Sequence, residues 1–321
     1  KASLDDRRVP LMGVLAAFVF AAQMINFSIP GTGSSGHLGG GLILAVLLGP
    51  HAAFLSIASV LAVQALFFAD GGLLALGCNI FNLGFFPCFL AYPLIYKPLA
   101  GQAPDRGRLM AASVIAATVG LQLGAFGVVL ETVASGISEL PFGSFVLLMQ
   151  PIHLAIGLVE GAVTAMLLAF LHKARPELFS AAQPGPQARS LRPVLVGLAL
   201  AAMVFGGVLS WFASAAPDGL EWSMAKVSGK EELEAPDHGV HSTLSALQKS
   251  SAFLPDYNFK EPEAATSEAA AAAVQTEGKE SGSWPDVNAG TSLSGLLGGF
   301  MTLCLAGAVA LVLRRRAPTK S

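Results

Sequence analysis

Charge is what this 321-residue chain has least of. Asp, Glu, Lys and Arg together make up 12% of it, against about 25% in a typical soluble domain. Such a chain cannot keep a water-facing surface over its whole length, which excludes an ordinary soluble globular protein. Cysteine is scarce too. Cys78, Cys88 and Cys304 are the three present, and all fall inside apolar runs, so no disulfide framework is expected and they read as small buried hydrophobes. There is no H-E-x-x-H, no C-x-x-C and no P-loop lysine, which removes the common soluble metal and nucleotide signatures. The chain therefore has no means of hydrolysing ATP by itself.

What is present instead is apolar length. The mean hydropathy is +0.62, and the runs reach the roughly 20 residues that a bilayer-crossing helix needs. Spans are expected at about 9–28, 38–49, 50–68, 71–96, 109–133, 146–171, 192–214 and 293–313. These runs do not alternate as barrel strands would, and they are rich in Gly and Ala, which suits close helix packing in lipid. The fold class expected is an all-α integral membrane protein, with a six-helix bundle over 1–175 and a two-helix hairpin over 192–321. A Pro/Gly/Gln-rich linker over 176–191 joins them.

Basic residues cluster at Lys1/Arg7/Arg8, Lys97/Arg106/Arg108, Lys173/Arg175/Arg189/Arg192 and Arg314/Arg315/Arg316/Lys320. Short loops rich in Lys and Arg stay cytoplasmic. All four clusters share one side if the short run 38–49 crosses, and it is expected to do so. That puts His37, Asp70 and Glu139 at the outer face, together with the segment 217–290, which carries thirteen carboxylates against five lysines. Within it, 261–283 is low in complexity and expected to be mobile.

The stretch Pro30–Gly41 (PGTGSSGHLGGG) holds six glycines around one imidazole. Its neighbours are too small to pack that imidazole into a core, so His37 is a candidate metal ligand or general base. Polar side chains inside apolar runs are functional candidates. Those weighed are Gln23, Asn26, Gln64, Asp70, Asn79, Asn82, Gln122, Glu131, Gln150, His153 and Glu160. Asn79 and Asn82 are three apart and share a helix face, as do His153 and Glu160.

The residues leave three readings open. Gly33-Ser34-Ser35-Gly36 resembles the G-x-S-G of rhomboid intramembrane proteases, with Ser35 as nucleophile and His153 as base. Glu160 could serve a secondary metal/proton carrier. The third reading is transition-metal capture at His37, with Gln64, Asp70, Asn79, Asn82, His153 and Glu160 in supporting roles.

A longer resemblance bears on the choice. Val9–Asn82, through VPLMGVLAAFVFAAQMINFSIP, SSGHLGGGLILAVLLGP and QALFFADGGLLALGCNIFN, is similar to the CbiM/NikM family, and so is His153–Glu160. These are substrate-capture components of energy-coupling-factor cobalt and nickel transporters. Pro217-Asp218-Gly219-Leu220-Glu221 and Pro255-Asp256-Tyr257 resemble the family's CbiN/NikN partner.

The resemblance implies a fused, non-enzymatic transporter subunit in a bacterial or archaeal cell membrane. It would span 1–175 and 192–321, with helices at 192–214 and 293–313 around an extracytoplasmic domain at 217–290. It implies no permanently bound cofactor, Ni²⁺ (or else Co²⁺) as cargo, and as partners a transmembrane T component, two cytoplasmic ATPases and membrane lipid, but no nucleic acid. It also implies that His37 is one of several donors, the others coming from an amino-terminal Met-His segment. Lys1-Ala2-Ser3 does not match that segment, so weak nickel binding is expected of the sequence as written.

Overall fold

The computed structural model describes residues 8–102, 104–136, 140–175, 179, 190–229, 238–260 and 284–315. Glu139, most of the expected linker 176–191, the low-complexity stretch 261–283, and the terminal clusters at Lys1/Arg7 and Arg316/Lys320 lie outside the described residues. The architecture is helical, as composition predicts.

In chain order α1 (Arg8–Gln23) leads to a short antiparallel hairpin, β1 (Phe27–Ile29) and β2 (Ser34–Gly36), then to α2 (Gly41–Leu48) and α3 (Pro50–Phe67). Three long helices follow: α4 (Leu76–Ala100), α5 (Arg106–Ser135) and α6 (Phe142–Ala174). The second region holds α7 (Arg192–Gly207), α8 (Gly219–Ser228), α9 (Val240–Ser251) and α10 (Ala289–Arg315). Among the described residues five helices (α3, α4, α5, α6 and α10) are long and apolar enough to cross a membrane, and α1 and α7 are shorter apolar helices.

One expectation needs correcting. The apolar run 38–49 does not form one bilayer-length helix, because α2 has eight residues, about 12 Å of rise, against a hydrocarbon layer of roughly 30 Å; a crossing here needs irregular backbone in series with the short helix. The rest of the run is irregular backbone at the level of the middle of α6. Non-helical backbone is tolerated at that depth only when protein covers it and satisfies its polar groups. Here it is satisfied. Glu160 accepts from the Gly39 and Gly40 amides at 2.9 and 3.0 Å, and Gln23 Nε2 donates to the Gly39 carbonyl at 2.8 Å.

Small residues set the packing. Gly157 and Gly161 on α6 sit against the α5 backbone, where an added Cβ would come within 2.8 Å of Thr118 Cα and 2.4 Å of Val114 Cα. This is the close approach that small-x-x-x-small spacing permits. Glu160 lies between them in sequence. Pro87 and Pro93 fall inside α4, whose stretch Phe81–Tyr96 winds in the wider π form, consistent with a chain that has lost the amide hydrogens of its prolines.

The cysteines are free. Only Cys88 is buried, while Cys78 and Cys304 lie on exposed helix faces, so just one of the three is the buried hydrophobe expected. The buried core, including Met12, Leu15, Phe20, Leu44, Ile57 and Phe68, runs between α1, α2 and α3. The second region packs on it through α10, where Gly298 lies against Phe20 and Phe68.

Candidate functional site

The glycine stretch folds as a hairpin followed by a descending loop. β1 and β2 pair Phe27 with Gly36, Ser28 with Ser35 and Ile29 with Ser34. The turn is closed by Thr32, whose hydroxyl donates to the Ile29 carbonyl and accepts from the Ser34 amide. Beyond β2 the chain passes His37 and reaches Gly40, whose φ of +76° is easily reached by glycine and costly for other residues. With that turn, two successive amides point at one carboxylate, the anion-binding nest geometry. Glu160 fills the nest and is 3% exposed.

This clamp fixes the backbone two residues beyond His37. The imidazole is half-buried and its Nδ1 lies 3.1 Å from the Leu38 carbonyl. A carbonyl oxygen only accepts, so Nδ1 carries the hydrogen and Nε2 keeps its lone pair. His153 has the same arrangement, with Nδ1 donating to the Met149 carbonyl at 2.8 Å. An imidazole held through Nδ1–H to a carbonyl is the usual preparation of Nε2 for a metal.

A cavity of about 380 Å³ opens beside these residues. It is lined by His37, Gln64, Asp70, Asn79, Asn82 and His153, together with groups from the second region. Six of the seven residues singled out from sequence therefore share one space. The seventh, Glu160, lies beside it under the loop, against a smaller void that Asn82 also lines. Gln64 Nε2 donates to Gln23 Oε1 at 2.9 Å, linking the loop's second clamp to α3. Asn82 Nδ2 donates to Glu131 at 2.7 Å and Asn79 Nδ2 to the Gly71 carbonyl at 3.1 Å. Among the described residues no three His, Cys, Asp or Glu side chains converge as a metal-holding group, so His37 stands without a second and third side-chain ligand of that kind around it.

The protease geometry is absent. The Ser35 hydroxyl is buried and donates to the Ala216 carbonyl at 2.8 Å, so the would-be nucleophile is bonded to backbone and not to His153. Glu160 has both oxygens on the glycine amides, which gives it a structural occupation in place of an open proton-carrying one.

Sequence reasoning did not assign Asp218, Glu221 and Tyr257 to this space. Asp218 caps α8, accepting from the Leu220 and Glu221 amides at 2.8 and 2.9 Å, while Glu221 accepts from the Asp218 amide at 3.0 Å. That is a full capping box, and Asp-x-x-Glu was its visible signal. The segment before it extends the hairpin. Ser214 N–H donates to the Asn26 carbonyl and Ser35 N–H to the Pro217 carbonyl, both at 2.8 Å, and Trp222 Nε1 donates to the Thr32 carbonyl at 3.0 Å. Gly219 is pressed onto α6, where a Cβ would stand 2.7 Å from Ile152 Cγ2 and 3.0 Å from His153 Cε1. Pro217–Glu221 is thus a helix start fitted against the hairpin and His153.

Residues 1–178 match the family described as "Cobalt uptake substrate-specific transmembrane region", and residues 192–315 match the PDGLE domain. A relative from Archaeoglobus fulgidus carrying the provisional name of a fused nickel transport protein NikMN is 37% identical over 59% of this chain, which spans 62% of the relative. The fused nickel transport protein NikMN of Rhodobacter capsulatus is 32% identical over 79% of this chain and 78% of its own length. A crystal structure of a truncated transition metal transporter is 31% identical, with a TM-score of 0.47 over 54% of this chain and 84% of that one.

Proposed function

Because this chain belongs to the cobalt-uptake substrate-specific transmembrane family, joined here to a PDGLE domain, we propose that it captures Ni²⁺ for an ATP-driven uptake transporter. At the coarser level it is a multi-pass membrane component of metal uptake. The finer reading takes His37 as the capturing side chain, with Nε2 directed at the ion. One observation carries it: an imidazole whose Nδ1–H is already committed lines a cavity on a loop that Glu160 holds in place.

Nitrogen-rich donor sets suit nickel and cobalt, whereas Mg²⁺ demands oxygen ligands and releases its water reluctantly. Further donors would have to come from backbone amides, from an amine, or from His153 across the cavity. Nickel is favoured over cobalt by the fused relatives, whose names speak of nickel.

In this reading the hairpin end of the bundle faces outward, along with the segment between α7 and α10. The basic ends of α4, α5 and α6 face the cytoplasm. A transmembrane T component and two ATPases supply the energy, since the chain has no nucleotide-binding signature. The PDGLE-matching region positions the capture loop by extending its hairpin.

The test is ⁶³Ni²⁺ uptake by cells expressing the chain with and without candidate T-component and ATPase partners. Uptake should require the partners and be abolished in their ATPase-dead forms. Uptake that continues without them would replace this reading with a secondary carrier.

A further inference from the structure

The second region touches the cavity at a second place, and the contact there is unlike the first. The last carbonyls of α3 have no partners within their own helix, and the chain just past it, Phe68 and Ala69, adds two more. Segment 248–256 supplies them. Ser251 Oγ donates to the Leu66 carbonyl at 2.7 Å, the Leu254 amide to Phe67 at 3.3 Å, the Asp256 amide to Phe68 at 2.8 Å and Gln248 Nε2 to Ala69 at 3.3 Å. Gln248 Oε1 also accepts from the Leu73 amide at 2.8 Å. At the end of this strap Tyr257 stacks on Phe68, with ring centroids 5.0 Å apart, and meets Phe20 edge-on at 6.2 Å. Its phenol donates to the exposed carboxylate of Asp70, and both residues line the same cavity as His37.

This contact is also where the backbone is strained. Among the described residues three non-glycine positions have left-handed φ: Ala69 at 59°, Asp256 at 50° and Tyr257 at 60°. All three are at this junction. L-residues with a Cβ hold that conformation only when their surroundings impose it, and such strain gathers at switching sites. The junction is thus closed by hydrogen bonds and stacking and opposed by its own backbone.

We propose that the strap ending at Tyr257 is a releasable latch over the cavity, and that a divalent cation binding Asp70 displaces the Tyr257 phenol and opens it. Asp70 offers the oxygen donor at the rim that such an ion meets before it reaches His37. The proposal rests on the metal-capture reading for its trigger, and on the geometry of the strap for the latch itself.

The test follows hydrogen exchange at the Leu254 and Asp256 amides in the full chain, reconstituted in lipid nanodiscs. Tyr257→Phe keeps the stacked ring and removes one hydrogen bond, so exchange should rise about tenfold. Asp256→Gly relieves the strain and should lower it. Saturating Ni²⁺ or Co²⁺ should speed exchange in the native chain. It should leave Asp70→Asn unchanged, since that variant still accepts from the phenol but has lost its charge.

Unaltered exchange in both Tyr257→Phe and Asp256→Gly would overturn the latch. An equal metal response in Asp70→Asn would overturn the trigger. Ni²⁺ binding is measured on the same samples. Metal that binds through His37 without altering exchange defeats the latch trigger and leaves capture standing. A native chain that takes up no metal defeats the capture reading and the trigger together, and the two substitutions still decide whether the strap is a strained latch.

Discussion

Two places in this molecule finish backbone that its helices leave unpaired, and they do so by opposite means. Under the capture loop, two amides meet a buried carboxylate from α6. At and just past the end of α3, four carbonyls meet neutral donors from a distant strap at the rim. The first is charge-assisted, shielded from water and made by glycines that adopt their conformation at little cost. The second is half-exposed and held against three strained residues. The contrast separates what must stay fixed from what can move. His37 is presented by the permanent junction, and the cavity that it faces is bordered by the releasable one.

The largest break in this contrast comes from Glu160→Leu, which leaves two buried amides unpaired at the level of the middle of α6. It should cost about 3 kcal/mol or more, read as a lower unfolding temperature in detergent, and it should also abolish metal binding. Glu160→Gln keeps one accepting oxygen and should fall between that variant and the native chain.

The hairpin junction comes next. Gly219→Ala would drive a methyl into Ile152 and His153, with an expected loss of about 2 kcal/mol. Limited proteolysis between α7 and α8 would show it as faster cleavage. Asp218→Ala removes the cap of α8 and should cost about 1 kcal/mol, seen in the same assay. If both variants are cut at the native rate, the Pro217–Glu221 segment does not anchor the second region.

The smallest effect concerns pH at the rim. Burial, and then the Asp70 carboxylate beside it, push the Tyr257 phenol well above its ordinary 10.0. A raised folded-state value means the contribution is complete below pH 10 and fades as pH climbs through the folded value. In an ultraviolet titration of the chain's three tyrosines, Tyr257→Phe should remove one tyrosine's share of the late-ionising absorbance and leave the early share unchanged.

Much of this was readable beforehand, for physical reasons. Gln64, Asp70, Asn79, Asn82, His153 and Glu160 stood out because polar groups in apolar runs need a partner or a task, and hydropathy alone exposes them. The length of α2 was not readable. Leu38, Gly39 and Gly40 carry no polar side chain to mark them off from the helix that follows, and only a carboxylate 120 positions away makes irregular backbone affordable there. Asp218 and Glu221 carried a capping-box spacing that was legible as a turn but not as a partner for the hairpin. The strap over α3 left no local trace, because its donors pair with carbonyls some 180 residues away, and no pattern in 248–257 points to them.

The central claim is that the glycine loop presents His37 as a metal donor. Calorimetric titration of Ni²⁺ and Co²⁺ into the full chain and into His37→Ala tests it most directly. The account predicts that the variant loses at least tenfold in affinity, about 1.4 kcal/mol, while its unfolding temperature stays native. Equal affinity in the two proteins would contradict it.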